Sequence, residues 1–104
     1  MDMVKGVLRE ELEHAKRAKQ RYEEGLDELP RGSLQKKKIN DKAYYYIAYR
    51  NGNKVKFDYL GKLSDADIKS YREKIEKRKR YKKLIKDLDK EIKYLGRVLN
   101  VQAD

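Results

Sequence analysis

The sequence predicts an α+β fold: a long helix, a three-stranded antiparallel sheet and a second long helix, with the two helices paired as an antiparallel, coiled-coil-like hairpin. Three observations predict it. Apolar residues recur at spacings of three and four through residues 8–29, and again in two parts, 68–75 and 81–99, between which the phase slips. Between these seams, residues 33–60 hold short strand-like runs around two turn sites, Asn40-Asp41 and Asn51-Gly52. Pro30, Gly32 and Gly61 punctuate the joints. At 104 residues the chain is expected to form a single domain, with a helix over 1–29, a sheet over 31–61 and a helix over 64–99.

The first helix takes its seam from Leu8, Leu12, Ala15, Lys19, Tyr22, Leu26 and Leu29. Lys19 interrupts that seam, and Ala15 and Ala18 thin it, which favours close approach by another helix. Pro30 ends the helix, because proline cannot donate the next backbone hydrogen bond and disfavours helical geometry in the residue before it. His14 sits among Glu10, Glu11 and Glu13, but a zinc site needs three or four ligands and this is the chain's single histidine. It reads as a solvated side chain, and no metal or other cofactor is expected.

In the middle segment, a type I′ turn at Asn51-Gly52 would be the stronger of the two, because asparagine and glycine tolerate positive φ. It would set Arg50 opposite Asn53, Ala48 opposite Val55, Tyr46 opposite Phe57 and Tyr44 opposite Tyr59. That face is apolar and is expected to lie on the scaffold. The other face, pairing Tyr49 with Lys54, Ile47 with Lys56 and Tyr45 with Asp58, mixes rings with charge and is expected to be open. The first strand, Leu34 to Ile39, carries Lys36, Lys37 and Lys38 and lies beside the tyrosine strand through a turn of two or three residues. An alternative account is that tyrosine is a good strand former and that lysines keep an edge strand from pairing with another chain.

Ser64 opens the second helix, with Asp65 and Asp67 in its first turn where carboxylates suit the helix dipole. Its seam has an early part, Ile68, Tyr71 and Ile75, and a late part, Tyr81, Ile85, Leu88, Ile92, Leu95 and Leu99. Between them runs KRKRYKK, Lys77 to Lys83, six of whose seven residues are basic. The late seam needs an apolar partner. The seam of the first helix supplies it within one chain or, equally, between two chains of a homodimer.

Charge narrows the function. The formal net charge is +10, distributed as net −2 over residues 1–29, +7 over 30–63 and +5 over 64–104. A positive field centred on the sheet attracts polyanions, nucleic acid first among them. The absence of cysteine suits a cytoplasmic protein, and no apolar run approaches the ~20 residues of a membrane span, so no membrane partner is expected. The segment has no Gly-rich phosphate loop, and Asp41 and Asp58 are its sole acids, neither with an evident partner. An enzyme is therefore not expected.

The succession Arg31-Gly32-Ser33-Leu34, a basic strand, a tyrosine-rich strand, an Asn-Gly turn, a third strand, Gly61 and a helix resembles the amino-terminal arm-type DNA-binding domain of phage and transposon integrases, over about residues 31–80. The segment 29–62 also resembles short basic bacterial proteins of unassigned function and the opening segment of some insertion-sequence transposases. Two departures stand out: a helix precedes the sheet, and no recombinase domain follows it. The resemblance implies a mobile-element or phage setting and a sheet that enters the DNA major groove, making Lys36, Lys38, Tyr45, Tyr49, Lys54 and Lys56 groove contacts.

The residues themselves put Lys37 beside that set, and Arg78, Lys79, Arg80, Lys82 and Lys83 as backbone contacts from the second helix. The expected function is thus non-enzymatic nucleic-acid binding, duplex DNA ahead of RNA. The alternative is a coiled-coil interaction or oligomerisation module that binds an acidic protein. Single-strand binding by stacking on exposed tyrosines is a third option.

Overall fold

The computed structural model describes residues 3–103, and side chains over 3–100. Residues 1 and 2, included in the expected first helix, lie outside the described residues. The chain order is α1 (Met3–Asp27), β1 (Ser33–Ile39), β2 (Lys42–Asn51), β3 (Lys54–Gly61) and α2 (Asp65–Ala103). The architecture is the expected α+β arrangement of two long helices and a three-stranded antiparallel sheet. Two compact units divide it. One comprises Met1–Glu28 with Arg80–Asp104, and the other Leu29–Lys79.

In the first unit α1 pairs antiparallel with the late part of α2. The expected seam positions on both helices are the ones withdrawn from solvent, with Ala15 and Leu95 buried at 4% and 6% exposure. Tyr22 meets Tyr81 edge to face, with ring centroids 5.0 Å apart. Gly25 lets the Tyr81 ring approach, since a Cβ there would lie 2.8 Å from Tyr81 Cε2. Lys19, which breaks the apolar pattern, donates through Nζ to Asp89 Oδ1 at 3.0 Å. Lys93 Nζ reaches the other Asp89 oxygen at 3.0 Å. The hydrogen bonds from Lys19 and then Lys93, followed by the charges of the same two groups, hold the Asp89 carboxyl below its ordinary value. Lys19 is correspondingly raised, first by the hydrogen bond and then by the charge of Asp89.

In the second unit the strands lie in the order β1-β2-β3. The β1–β2 turn is the tight two-residue one: Asn40 and Asp41 have φ of 51° and 65°, and Ile39 pairs with Lys42. Positive φ at both central residues marks a type I′ geometry. The β2–β3 turn falls one residue later than expected. Asn51 pairs with Lys54, so Gly52 (φ 64°) and Asn53 are the central residues, the arrangement of a type II′ turn with glycine first.

Moving that turn by one residue shifts every partner by two. Arg50 therefore pairs with Val55, Ala48 with Phe57 and Tyr46 with Tyr59, not with the partners expected. A shift of two preserves which residues share a face, because side chains alternate with period two. A register irregularity between Tyr45 and Tyr46 then brings Tyr45 opposite Gly61. At the entrance to β1, Gly32 has φ of 96°, and a Cβ there would lie 2.1 Å from the Ala48 carbonyl oxygen. Only glycine fits that approach.

The α2 start is a reciprocal cap. Asp67 N donates to Ser64 Oγ at 3.1 Å, and Ser64 N donates to Asp67 Oδ2 at 3.2 Å. The pair satisfies two backbone donors that a helix start leaves open. The core of this unit is Tyr45, Ile47 and Ile75, at 7%, 6% and 8% exposure.

Candidate functional site

The site follows from which side of the sheet is covered, and this reverses the sequence expectation. Tyr45 and Ile47 are buried, and Tyr45 shares one depression with Ile68 and Arg72 of α2. The first turns of α2 thus lie on the Tyr45 side. The side expected to rest on the scaffold is the open one: Val55, Phe57 and Tyr59 are 52%, 63% and 68% exposed. The reason lies in β2, whose run Tyr44-Tyr45-Tyr46-Ile47-Ala48-Tyr49 is apolar on both faces and gives no contrast. The contrast came from β3 alone, where Val55, Phe57 and Tyr59 alternate with Lys54, Lys56 and Asp58.

The open face is an aromatic cluster. The rings of Tyr44 and Tyr59 lie 6.4 Å apart at 23°, and those of Tyr46 and Phe57 lie 5.6 Å apart at 68°. In the observed register both pairs are diagonal neighbours, within reach for aromatic side chains. With Lys37 and Ile39 the four rings line a shallow depression of about 380 Å³. Lys62 Nζ lies 6.0 Å from the centre of the Tyr44 ring. Lys42, opposite Ile39, and Arg50, opposite Val55, belong to the same face by strand alternation. The strand residues of this face include no Asp or Glu, because Asp58 pairs with Ile47 on the covered side and Asp41 sits in the turn.

The sequence-predicted residues divide accordingly. Lys37 is the one sheet cation among them that belongs to the open face. Tyr45 is core and offers no surface. Tyr49 is half-buried, with the Arg31 guanidinium 4.6 Å from its ring centre. Lys36, Lys38, Lys54 and Lys56 are exposed, but they project on the Tyr45 side. Sequence reasoning missed Lys42, Tyr44, Tyr46, Arg50, Phe57, Tyr59 and Lys62 as surface groups. The signal that pointed to them was the position of Asp58, whose carboxylate places β3's sole acid on the opposite side.

On α2 the basic run is partly engaged within the chain. Arg78 donates to the Leu29 carbonyl at 2.9 Å, a bond from the helix to the segment that leads into the sheet. Lys79 reaches Glu76 and Lys83 reaches Asp87, both at 3.3 Å. Arg80 and Lys82 are exposed. His14 lies exposed in a surface depression with Arg9, Glu10, Glu11, Glu13 and Arg17. Among the described residues no group of three or more His, Cys, Asp or Glu could hold a metal ion, and no helix is long and apolar enough to cross a membrane.

Residues 8–70 match the family described as Domain of unknown function (DUF6788). The chain belongs to that family. The matched segment contains the whole sheet and the α2 cap, and it ends before the basic run at Lys77–Lys83. A search of curated proteins gave no match, and neither did a search of solved structures.

Proposed function

We propose that the chain is a non-enzymatic nucleic-acid-binding protein whose contact surface is the open face of the sheet. The observation that carries this reading is the composition of that face: four aromatic rings bordered by Lys37, Lys42, Arg50 and Lys62, with no carboxylate among its strand residues. Cations placed around rings suit a ligand that carries phosphates and π-faces together. The arm-type integrase likeness fits the same reading, with the contact surface moved to the opposite side of the sheet from the one the sequence suggested. A phage or mobile-element setting is part of this proposal. The helical seams meet within one chain through Tyr22–Tyr81 and Lys19–Asp89, so the proposed contact lies on the sheet and not on the helices.

Fluorescence anisotropy with labelled nucleic acid at rising salt tests the proposal. Four phosphate contacts would weaken binding about 50- to 150-fold between about 50 and 200 mM salt. Exchanging Lys37, Lys42, Arg50 and Lys62 for glutamate should remove that dependence together with most of the affinity. Absence of binding at low salt, or binding indifferent to salt, overturns the proposal. Binding to an acidic protein in place of nucleic acid does the same.

A further inference from the structure

We infer that the ligand of the open face is an unpaired stretch of nucleic acid whose bases stack against the exposed rings of Phe57 and Tyr59, with Tyr44 and Tyr46 beside them. This rests on the nucleic-acid reading above and narrows it to a substrate class. A duplex offers a protein its phosphates and the edges of its bases, and edges are read by hydrogen-bonding side chains at the centre of the contact. The centre of this face is built differently. Phe57, Ala48 and Val55 carry no hydrogen-bonding side-chain group, and the single amide among the strand residues of this face, Gln35 opposite Tyr46, is turned to its neighbour, its Nε2 donating to Ser33 Oγ at 2.9 Å. The face offers ring surfaces, and a base presents its own ring surface only when it is unpaired.

Exposure and spacing agree with that use. Phe57 and Tyr59 are 63% and 68% exposed, so both rings keep most of their surface in solvent. The ring centroids are 5.6 and 6.4 Å apart within the two pairs, against the rise of about 3.4 Å per nucleotide in a duplex strand. Rings inclined to one another by 23° and 68° do not match the parallel stack of a duplex, and bases set against them would be splayed, as in an unpaired strand held on a sheet. Lys37 borders one side of the depression and Lys62 lies beside Tyr44, where each can meet a phosphate of a strand crossing the rings. Sugar identity has no evident reader on this face, so DNA and RNA share the chemistry and are separated by experiment.

The test uses the full chain with labelled 20-mers of oligothymidylate and oligouridylate, and a 20-base-pair DNA duplex, at ~150 mM salt where purely electrostatic binding is weak. Either single strand is expected to bind at least tenfold more tightly than the duplex, and the difference between the two reports the preferred sugar. Phe57→Ala and Tyr59→Ala should each cost about tenfold against the single strand. Both positions are exposed, so melts should show each variant still fully folded at the assay temperature. The chain has no tryptophan, so Phe57→Trp supplies a single reporter whose emission should be quenched by the single strand.

Equal affinity for duplex and single strand, or ring variants with unchanged affinity, overturns the inference and leaves nucleic-acid binding standing. No binding of any of the three at low salt removes both. Self-association lost in Phe57→Ala, without a nucleic-acid complex, would assign the face to a second copy and also overturns the inference.

Discussion

The assignment of covered and open faces can be tested by stability alone, with two substitutions whose size and exposure pull in opposite directions. Ile47 is 6% exposed and Phe57 is 63% exposed, and both lie at the middle of the β2–β3 hairpin. Truncating a buried isoleucine to alanine costs about 2–5 kcal/mol, the removed transfer energy plus the cavity left behind. Truncating a fully buried phenylalanine costs about 3–5 kcal/mol, but with most of the ring already in water the loss at Phe57 scales down to roughly 1–2 kcal/mol. Ile47→Ala should therefore be the worse variant although it removes the smaller side chain. In a small domain about 3 kcal/mol corresponds to a fall in Tm of about 12–24 °C. Circular dichroism melts of the parent, Ile47→Ala and Phe57→Ala read the comparison directly. If Phe57→Ala melts at the lower temperature, the aromatic face is the covered one, and the proposed contact surface does not exist.

Two further outcomes follow from particular contacts. Gly32→Ala should destabilise the sheet by more than about 1 kcal/mol, because it places a Cβ 2.1 Å from the Ala48 carbonyl oxygen at a φ of 96°; a urea midpoint equal to the parent's would refute that reading. Asp89→Asn should lower the stability of the helix pair at pH 7. The carboxyl of Asp89 is depressed in the folded state by Lys19 and Lys93, so its contribution is present above the ordinary carboxylate value and is lost as pH falls through the lower folded value. The gap between parent and variant melts should be constant well above the ordinary carboxylate value and narrow as pH falls below it, and a gap that does not narrow on acidification would show that Asp89 acts through something other than its charge.

The helices were legible in the sequence because the period of an α-helix maps apolar spacing onto a single stripe. Leu8, Leu12, Ala15, Tyr22 and Leu26 on one side, and Ile85, Leu88, Ile92, Leu95 and Leu99 on the other, are the residues the fold withdraws from water. The Ser64 cap was legible for a similar reason, since its chemistry is complete within four residues. The partner of Lys19 was not. Asp89 lies 70 residues away, and only the stagger of the helix pair brings the two together. Arg78 was hidden inside a basic run, where composition cannot separate the guanidinium that satisfies the Leu29 carbonyl from neighbours that face solvent.

The sheet resisted reading for two reasons. Asn40-Asp41 and Asn51-Gly52 are both good turn formers, and glycine can serve at either central position, so a turn one residue later was equally compatible with the local sequence. The faces failed because the usual inference, that the more apolar side is inside, assumes that the fold covers the more apolar side. Here α2 brings Ile68 and Ile75 to the second unit, and the buried strand residues are Tyr45 and Ile47 of the central strand. The candidate site was legible as a charged, tyrosine-rich sheet but not as a particular surface.

The exposed rings call for an explanation that stability does not supply. The core is thin: among the described residues no side chain falls below 2% exposure, and five make up the buried apolar set. In such a chain the larger apolar side chains would stabilise most if covered, yet Phe57, Tyr59 and Val55 stand together in water. Cross-strand aromatic pairs do stabilise a sheet, by about 0.2–1 kcal/mol each. The Tyr44–Tyr59 and Tyr46–Phe57 pairs would account for some of the pattern on that ground. They do not account for the location of charge, because a pair chosen for sheet stability is indifferent to the sign of its neighbours. The strand residues around these rings carry Lys37, Lys42 and Arg50 and no carboxylate, while the other side of the sheet mixes Lys36, Lys38, Lys54 and Lys56 with Asp58. A contiguous apolar patch with a rim of one sign is what a specific contact requires, and a polyanion with flat, exposed rings satisfies both halves of it.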